Sequence, residues 1–333
     1  MMNKSKKNYF IRLTISSVIL YLVLRSIDVT DIKLTLRSVD IRLLAFAVLL
    51  YFPGQLISAF RWRYILNTLR RYTPFLTVLL HNTRGQISAL LLPGQISGDI
   101  VRAISISHGE SGKSIYFLSI VIDKLSFFIA VASFFTLGKI AKGPIADFKG
   151  IYWVTIVLIL ICVMLLLIFC GYRNREYITK ILLILKRLPV FKDSMKGINN
   201  WPTIPRISPK TIIIILVLAY GFQFINALGS YILARSMQIQ IDLIDWAAIN
   251  AFVALIQILP ITIAGLGVRE GLLAAILTLY GIPISQSVSV SLLGFFIVSL
   301  LIAMTWIMME LIQLFTSKGI NVNSVTTNYP NKK

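Results

Sequence analysis

Two stretches of this chain follow one pattern: LLPGQISGDIVR at 91–102 and ILPITIAGLGVR at 258–269. Each contains a proline, four residues, a glycine, two residues and the pair Val-Arg, which gives the order P-x4-G-x2-V-R. The copies lie 167 positions apart. A shared apolar background does not explain a proline, a glycine and an arginine at identical spacing. The pattern therefore predicts an internal repeat.

The composition around the repeat is that of a membrane protein. Of 333 residues, 57% are hydrophobic and only 14% are charged, and the mean hydropathy is +0.81, whereas a soluble domain keeps about a quarter of its residues charged. In lipid an apolar run must be helical, because a helix satisfies its backbone hydrogen bonds within one segment. We therefore predict an all-α polytopic membrane protein. The net charge of +20 lies largely in short loops, which indicates anionic lipid headgroups rather than nucleic acid as partners.

Apolar runs near the ~20 residues needed to cross a hydrocarbon core recur along the chain. Two regions, 75–108 and 246–281, are apolar but interrupted by proline, glycine and charge. Each is predicted to be a broken helical hairpin, either re-entrant or a pair of spans, that returns the chain to the side it came from. About six full spans are predicted, at 9–25, 41–60, 115–137, 151–171, 211–234 and 284–313.

The number of spans between the two copies predicts that the repeats are inverted in the membrane. Repeat one covers about 41–137 and repeat two about 211–313. The 41–60 span starts outside and the 211–234 span starts inside, so equivalent helices run in opposite directions. Inverted repeats with broken helices are typical of secondary transporters, which bind substrate near the bilayer midplane. We expect residues 1–315 to form a single integral membrane domain in which the two broken hairpins meet.

Basic residues predict the orientation, because cytoplasmic loops are enriched in Lys and Arg. The loop 172–210 carries nine of them, and the loop after the second span begins with Arg61 and Arg63, while the basic loop 138–150 is an exception. Both termini are therefore expected in the cytoplasm, and the protein in the cytoplasmic membrane. Apolar residues at helical spacing within 172–210 predict either an interfacial helix or an amphipathic connector packed on the bundle. The polar tail 316–333 is expected to be disordered.

The repeated motif also predicts where the helices break. Proline ends a helix because it lacks a backbone donor, and glycine tolerates the irregular backbone that follows. A half-helix that starts at membrane depth presents N–H groups and a positive dipole end, which favour a phosphate or a carboxylate. The residues assigned to the breaks are Pro93, Gly98, Pro260, Gly265 and Gly267.

Arg102 and Arg269 fall in the first turn of these half-helices. An arginine at such a place can hold phosphate oxygens through two parallel hydrogen bonds. The expected counter-charge of Arg102 is Asp99 or Asp123, and that of Arg269 is Glu270. The alternative is that these are internal ion pairs, which only stabilise the breaks.

Other polar residues lie within the apolar regions. Arg84 is a candidate for the lipid headgroup because charge at membrane depth is often functional, whereas His81 is expected to make an ordinary polar contact. Asp123 is expected to pair with Arg84 or Arg102, and Glu310 to lie at the cytoplasmic interface. The candidate headgroup-binding residues are Arg102, Arg269, Asp99, Glu270, Arg84 and Asp123.

No catalytic motif accompanies these residues. The sequence has no P-loop, no G-x-S-x-G and no His/Cys/carboxylate spacing for a metal, and it contains only two histidines. The longest loop, 172–210, is too short for a soluble catalytic domain. We therefore expect no catalytic residue, cofactor or metal, and a protein that is not itself an enzyme.

The segments LLPGQISGDIVRA (91–103) and LPITIAGLGVREGLLAAIL (259–277) resemble the two signature regions of the lysylphosphatidylglycerol synthase transmembrane, or flippase-like, family. Those signatures run approximately LP-G-GD-VRA and P-GGLGVREG, and the resemblance covers roughly 10–315. It implies the membrane part that moves aminoacylated or other anionic lipids across the bilayer, without the soluble synthase domain. The matching residues are Gly98, Asp99, Arg102, Gly265, Gly267, Arg269 and Glu270.

The residues and the resemblance together predict the transport, or flipping, of an anionic lipid or lipid-linked headgroup across the cytoplasmic membrane. The expected partner is a phospholipid or a polyprenyl-linked lipid, with a lipid-modifying enzyme as a further candidate. The alternative is a membrane-embedded enzyme or enzyme subunit in aminoacyl-phospholipid or lipid-linked glycan synthesis. A third interpretation is a scaffold that organises partner enzymes.

The predicted orientation can be tested at Ser194 in the basic loop. After replacement of Cys162 and Cys170, a cysteine at Ser194 is expected to react with a membrane-impermeant maleimide only once the inner face is exposed, because basic loops stay in the cytoplasm. A cysteine at Lys142, in the predicted outer loop 138–150, is the matched control and should react in intact cells. Labelling of Ser194→Cys in intact cells would invert the topology.

Overall fold

The structure, a computed structural model, describes residues 37, 39–92, 95–107, 113–167, 207–257, 262 and 264–319. The predicted span 9–25 and residues 172–206 of the basic loop lie outside these ranges. The α-helices within them are α1 (Ile41–Thr68), α2 (Phe75–Leu91), α3 (Gln95–Ile106), α4 (Lys113–Leu137), α5 (Lys149–Leu167), α6 (Pro209–Ser236), α7 (Leu243–Gln257), α8 (Val268–Thr278) and α9 (Ile284–Gly319). Two short 3₁₀ turns, Gly138–Ile140 and Pro144–Asp147, lie between α4 and α5.

Four helices of the described ranges are long and apolar enough to cross a membrane, and they correspond to four of the six predicted spans. A fifth predicted span, 151–171, corresponds to α5, whose apolar part Gly150–Leu166 is shorter. Together these helices make the chain a multi-pass helical membrane protein. The four long spans are Ile41–Thr68, Ser114–Ile140, Pro209–Ser236 and Ile284–Gln313.

The last helix is longer than the sequence indicates. α9 continues to Gly319, so it takes in the first residues of the tail 316–333 that was expected to be disordered. Residues 320–333 lie outside the part of the chain that the structure describes.

Both regions predicted to be broken consist of two helices. α2 ends at Leu91, and the residue after it is extended, with φ −100° and ψ 149°, as expected for a residue that precedes proline. α7 ends at Gln257. Pro93 and Pro260 themselves lie outside the described residues, so a meeting of the two prolines near the bilayer midplane stays a prediction.

The motif glycines have different roles in the two copies. Gly265 and Gly267 lie in the turn before α8 with φ of 74° and 83°, a conformation that glycine adopts without steric cost. Gly98, which was assigned to the other break, instead lies inside α3. A Cβ on Gly98 would stand 2.3 Å from the carbonyl oxygen of Gly85 in α2. Gly98 is therefore needed for the close packing of α2 on α3 and not for a turn.

The first long helix also departs from the prediction. α1 continues to Thr68, whereas the span was predicted to end at 60. Arg61 and Arg63, which were assigned to the following loop, are therefore helical, and Arg61 is buried. The helix can remain inside the bundle because the Arg61 guanidinium meets the Asp123 carboxylate, which offsets the desolvation of both charges.

α1 and α6 pack side by side in opposite directions. The backbone N–H of Asp40, before α1, donates to the carbonyl oxygen of Ser236 at the end of α6 over 2.8 Å. Farther along, Gly229 of α6 lies against Tyr51 of α1. The first helices of the two predicted repeats are therefore antiparallel.

The remaining helices cross between the two halves of the chain. α4 packs against α7, and α9 packs against α2, so the last helix of each predicted repeat contacts the second helix of the other. The largest apolar core of the described residues lies mainly between α4, α6, α7 and α8 and includes the fully buried Phe135, Trp246 and Leu277. Exposed apolar side chains on the long helices, such as Leu49 and Val217, suit contact with lipid.

The space around two helix glycines, one at the contact of α2 with α3 and one in α6, predicts opposite effects of their substitution by alanine. Gly98→Ala is expected to destabilise the protein by about 1–3 kcal/mol or more, because its Cβ would meet backbone that cannot move aside. Gly221→Ala, in α6 with open space around its Cα, should be neutral or stabilising, because alanine favours a helix over glycine. Thermal unfolding of both variants in mild detergent measures the difference. Equal stability would contradict the close approach of Gly98 to Gly85.

Candidate functional site

Four helices of the first half bring polar side chains to one place inside the bundle. This set, the α1–α4 cluster, combines three cations, two carboxylates and one amide. Every member except the half-buried Lys124 is buried. The members are Arg61 of α1, Asn82 of α2, Asp99 and Arg102 of α3, and Asp123 and Lys124 of α4.

Asp123 lies at the centre of the α1–α4 cluster. Its Oδ1 accepts a hydrogen bond from Arg61 Nε at 2.7 Å, and its Oδ2 accepts one from Arg102 Nη2 at 2.6 Å. The side chains of Asp123 and Arg61 are each only 3% exposed. At this depth an unpaired carboxylate is costly, so the two arginines and Asp123 depend on one another.

Arg102 has further partners on each side. Its Nη1 donates to Asn82 Oδ1 at 2.9 Å, and its Nη2 lies 3.0 Å from Asp99 Oδ1. The second oxygen of Asp99 lies 2.8 Å from Lys124 Nζ. The ring of Trp62 lies beneath the guanidinium, 4.7 Å from Arg102 Cζ, in a cation–π arrangement. Both expected counter-charges of Arg102, Asp99 and Asp123, are therefore present.

The close packing of α2 on α3 brings these side chains together. Gly85 and Gly98 approach each other so closely that neither has room for a Cβ. Asn82 lies nearly one turn before Gly85, and Arg102 lies about one turn after Gly98. The backbone contact therefore brings the Asn82 amide within hydrogen-bonding distance of the Arg102 guanidinium.

The α1–α4 cluster borders a cavity of about 270 Å³, here called cavity A. Arg61 Nη1, Asn82 Nδ2 and Arg102 Nε are buried donors without a hydrogen-bond partner among the described residues. Three cations against two carboxylates also leave one positive charge unbalanced. A buried donor or charge without a partner is unfavourable, so the α1–α4 cluster has the electrostatics of an incomplete anion site.

A second charged group lies at the start of α8. Glu270 is fully buried, its Oε2 accepts from the backbone N–H of Gly267 at 2.7 Å, and its Oε1 accepts from Ser291 Oγ at 3.0 Å. Arg269 Nε also donates to Glu270 Oε1 at 3.0 Å, so the expected pair of Arg269 with Glu270 is present. This helix N-terminus was expected to attract a phosphate, but the protein's own carboxylate caps it.

Arg269 also lines a cavity of about 350 Å³ in the second half of the bundle, here called cavity B. Its guanidinium lies over the Phe295 ring, 4.8 Å from the centroid. Leu90, Phe127 and Phe222 line both cavities. Cavities A and B therefore adjoin, with two aromatic rings at their junction.

Arg84 lies apart from both cavities, although it was a predicted headgroup residue. Its Nε donates to Glu310 Oε1 at 2.7 Å and its Nη2 to Glu310 Oε2 at 2.9 Å, and Trp306 Nε1 also donates to Glu310 Oε1. The pair is about one-third exposed and joins α2 to α9. Asp123 therefore pairs with Arg102 and not with Arg84. His81 contacts Ser105, which agrees with an ordinary polar contact.

Sequence reasoning missed Arg61 as a member of the site. It assigned this arginine to a loop because the most apolar run of the helix ends near 60. A signal was available, since apolar residues continue at helical spacing beyond that point, as Ile65 and Leu69 show. Asn82 is also absent from the predicted site, because its contact with Arg102 depends on the helix packing.

The dependence of the arginines on Asp123 can be measured by paired neutralisation. Asp123→Asn is expected to destabilise the protein by about 3–5 kcal/mol, because it leaves two arginines facing one remaining carboxylate. Adding Arg61→Gln should recover part of that loss, since the buried net charge returns to its original value. Equilibrium unfolding in mixed micelles provides the free energies. Losses that simply add would show that Arg61 and Asp123 are not coupled.

Comparison with known proteins agrees with these features. Residues 9–306 match the family described as "Lysylphosphatidylglycerol synthase TM region". The matched range contains both copies of the repeated motif and all residues of the α1–α4 cluster. A search of curated proteins finds no match. Since the family match covers most of the 333 residues, the chain belongs to the family of the lysylphosphatidylglycerol synthase transmembrane region.

Proposed function

We propose that this protein transports an anionic lipid across the membrane by binding the lipid phosphate in the α1–α4 cluster. The observation that carries the proposal is the unbalanced positive charge at cavity A, together with the unpartnered donors of Arg61, Asn82 and Arg102. A phosphodiester carries one negative charge and several acceptor oxygens. One bound phosphodiester would therefore neutralise the excess positive charge of the cluster and also accept hydrogen bonds from these donors.

The low dielectric of the bundle interior strengthens this recognition. Hydrogen bonds with an ionised partner are roughly twice as strong as neutral ones, and the hydrocarbon around the bundle offers the buried donors no acceptor. Arg102 is fixed by Asp123, Asn82 and the Trp62 ring. The site is therefore organised before the ligand arrives, which reduces the entropic cost of binding.

The arrangement of the helices supports transport by two inverted halves. The antiparallel packing of α1 on α6 and the reciprocal contacts of α4 with α7 and of α9 with α2 are those expected of halves related by a two-fold axis in the membrane plane. Each half provides most of the lining of one cavity, and the cavities adjoin. A headgroup held at cavity A is therefore next to an equivalent space in the other half.

Transport is favoured over the alternative of a membrane-embedded enzyme. Both carboxylates that line cavity A, Asp99 and Asp123, are held by arginine or lysine. Among the described lining residues, this leaves no carboxylate free to act as a general base. We place the protein in the cytoplasmic membrane with both termini inside, with a phospholipid or polyprenyl-linked lipid as its partner.

The phosphate site is tested by Arg102→Lys. A lysine keeps the charge opposite Asp123 but loses the planar fork of donors, so transport should fall about tenfold or more while the protein remains folded. Arg63→Lys is the matched control, because Arg63 lies on α1 outside the cavity and donates to the carbonyl oxygen of Thr73. Transport of a fluorescent anionic lipid in proteoliposomes is measured beside thermal stability.

Two results would count against the phosphate site. Full transport by Arg102→Lys would remove the role of the forked donors, and an equal loss in Arg63→Lys would show that the effect is unrelated to cavity A. Mass spectrometry of lipids that co-purify in mild detergent identifies the natural headgroup. We expect Arg102→Lys to retain less of that lipid than the unaltered protein.

A further inference from the structure

We infer that cavity B is the subsite for an uncharged, hydroxyl-rich portion of the headgroup, such as a sugar or another polyol, attached to the phosphate that cavity A holds. This inference rests on the proposed function and deepens it by naming the class of lipid. It depends on a chemical contrast, because most of the polar groups that line cavity A are ionised, whereas those that line cavity B are amides and hydroxyls apart from Arg269.

Cavity B contains neutral polar groups that lack partners. Gln223 is only 7% exposed, lines the cavity and makes no side-chain hydrogen bond to any described residue. Ser299 Oγ is buried without a hydrogen-bond partner among the described residues. Asn226 and Asn250 each donate back to their own helix, to the carbonyl oxygens of Phe222 and Trp246, which leaves their amide oxygens free to accept.

These groups are suited to hydroxyls. A side-chain amide offers both donors and acceptors, and a hydroxyl can also donate and accept, so several hydroxyls on one ring can pair with Gln223, Asn226 and Asn250 together. The volume of about 350 Å³ lies within the range of small-molecule pockets, about 300–1,000 Å³. The Phe222 and Phe295 rings among the lining residues offer apolar faces to the carbon side of such a ring.

The charges disfavour a cationic headgroup such as a lysyl ester. No carboxylate lines cavity B among the described residues. Glu270, the acid at the start of α8, is fully buried and already accepts from Arg269, Ser291 and Gly267. An ammonium group in cavity B would face the Arg269 guanidinium without a free carboxylate, which is unfavourable in a low dielectric.

The two cavities are placed for one ligand. Phe127, Phe222 and Leu90 line both, and the Arg61 guanidinium lies over the Phe222 ring, 5.6 Å from the centroid. A phosphate at Arg61 therefore lies at the junction, and the group attached to it can enter cavity B without leaving the site.

The experiment compares three lipids in phosphatidylcholine proteoliposomes, each with a fluorophore on the acyl chain. Phosphatidylmethanol carries the phosphodiester alone, phosphatidylinositol adds a ring of hydroxyls at the same charge, and lysyl-phosphatidylglycerol adds ammonium groups. We expect phosphatidylinositol to be preferred over phosphatidylmethanol by about fivefold to tenfold, the equivalent of one or two net hydrogen bonds, and the lysyl lipid to be the poorest substrate.

Gln223→Leu tests the subsite directly, since it keeps the side-chain size and removes no hydrogen bond from the protein. It should lower the preference for phosphatidylinositol severalfold, because one of the three amides is lost, and phosphatidylmethanol transport measured beside it reports whether the variant is folded. Gln55→Leu is the matched control, because Gln55 is the fifteenth residue of α1, as Gln223 is of α6, but lines neither cavity. It should keep the preference.

The outcomes separate this inference from the proposed function. Equal transport of phosphatidylmethanol and phosphatidylinositol, a preference that Gln223→Leu leaves undiminished, or a preference for the lysyl lipid would each overturn the subsite while the phosphate site stands. Failure to transport any of the three lipids would overturn the proposed function itself, and the subsite with it.

Discussion

Asp123 holds two arginines that arrive from different helices, Arg61 from α1 and Arg102 from α3, at a depth where an unpaired charge costs several kcal/mol. The three residues tie the first, third and fourth helices together more specifically than apolar packing can, since apolar contacts are non-directional. They also fix the guanidinium groups in position beside cavity A. One carboxylate therefore serves both the assembly of the bundle and the geometry of the candidate site.

The two motif arginines lie at different places on their helices: Arg269 is the second residue of α8, as predicted, whereas Arg102 is the eighth residue of α3 and not in its first turn. A helix that starts inside a bundle leaves backbone N–H groups to be satisfied. At α8 the side chain of Glu270 turns back to the Gly267 N–H and also balances Arg269, so this break is nearly neutral. Around α3 three cations, Arg61, Arg102 and Lys124, face only the two carboxylates of Asp99 and Asp123. Because the charge is balanced at one break and not at the other, the two adjoining cavities differ in chemistry although they are of similar size.

Much of the fold could be predicted from the sequence because membrane helices follow local rules. Apolar run length predicted the four long spans, and proline and glycine correctly indicated that two regions each contain a pair of helices. Helix ends were predicted less well. α1 was predicted to end before Arg61, because a charged residue indicates a loop as long as its buried partner is unknown. α9 likewise continues past residue 316.

The candidate site was predictable only where its contacts are close in sequence. Arg269 and Glu270 are neighbours, and Asp99 and Arg102 are one turn apart on a helix, so spacing alone paired them. Arg61 and Asp123 are 62 positions apart, and Arg84 and Glu310 are 226 apart. Spacing along the chain therefore could not predict these two pairs.

Local sequence is enough to predict a bundle of membrane helices with charges inside it, because an apolar chain in lipid can satisfy its backbone hydrogen bonds only as helices. Which charges share a cavity is set by the packing of the helices. That choice depends on how closely two backbones approach, as at Gly85 and Gly98, and such an approach is a property of packed helices and not of local sequence.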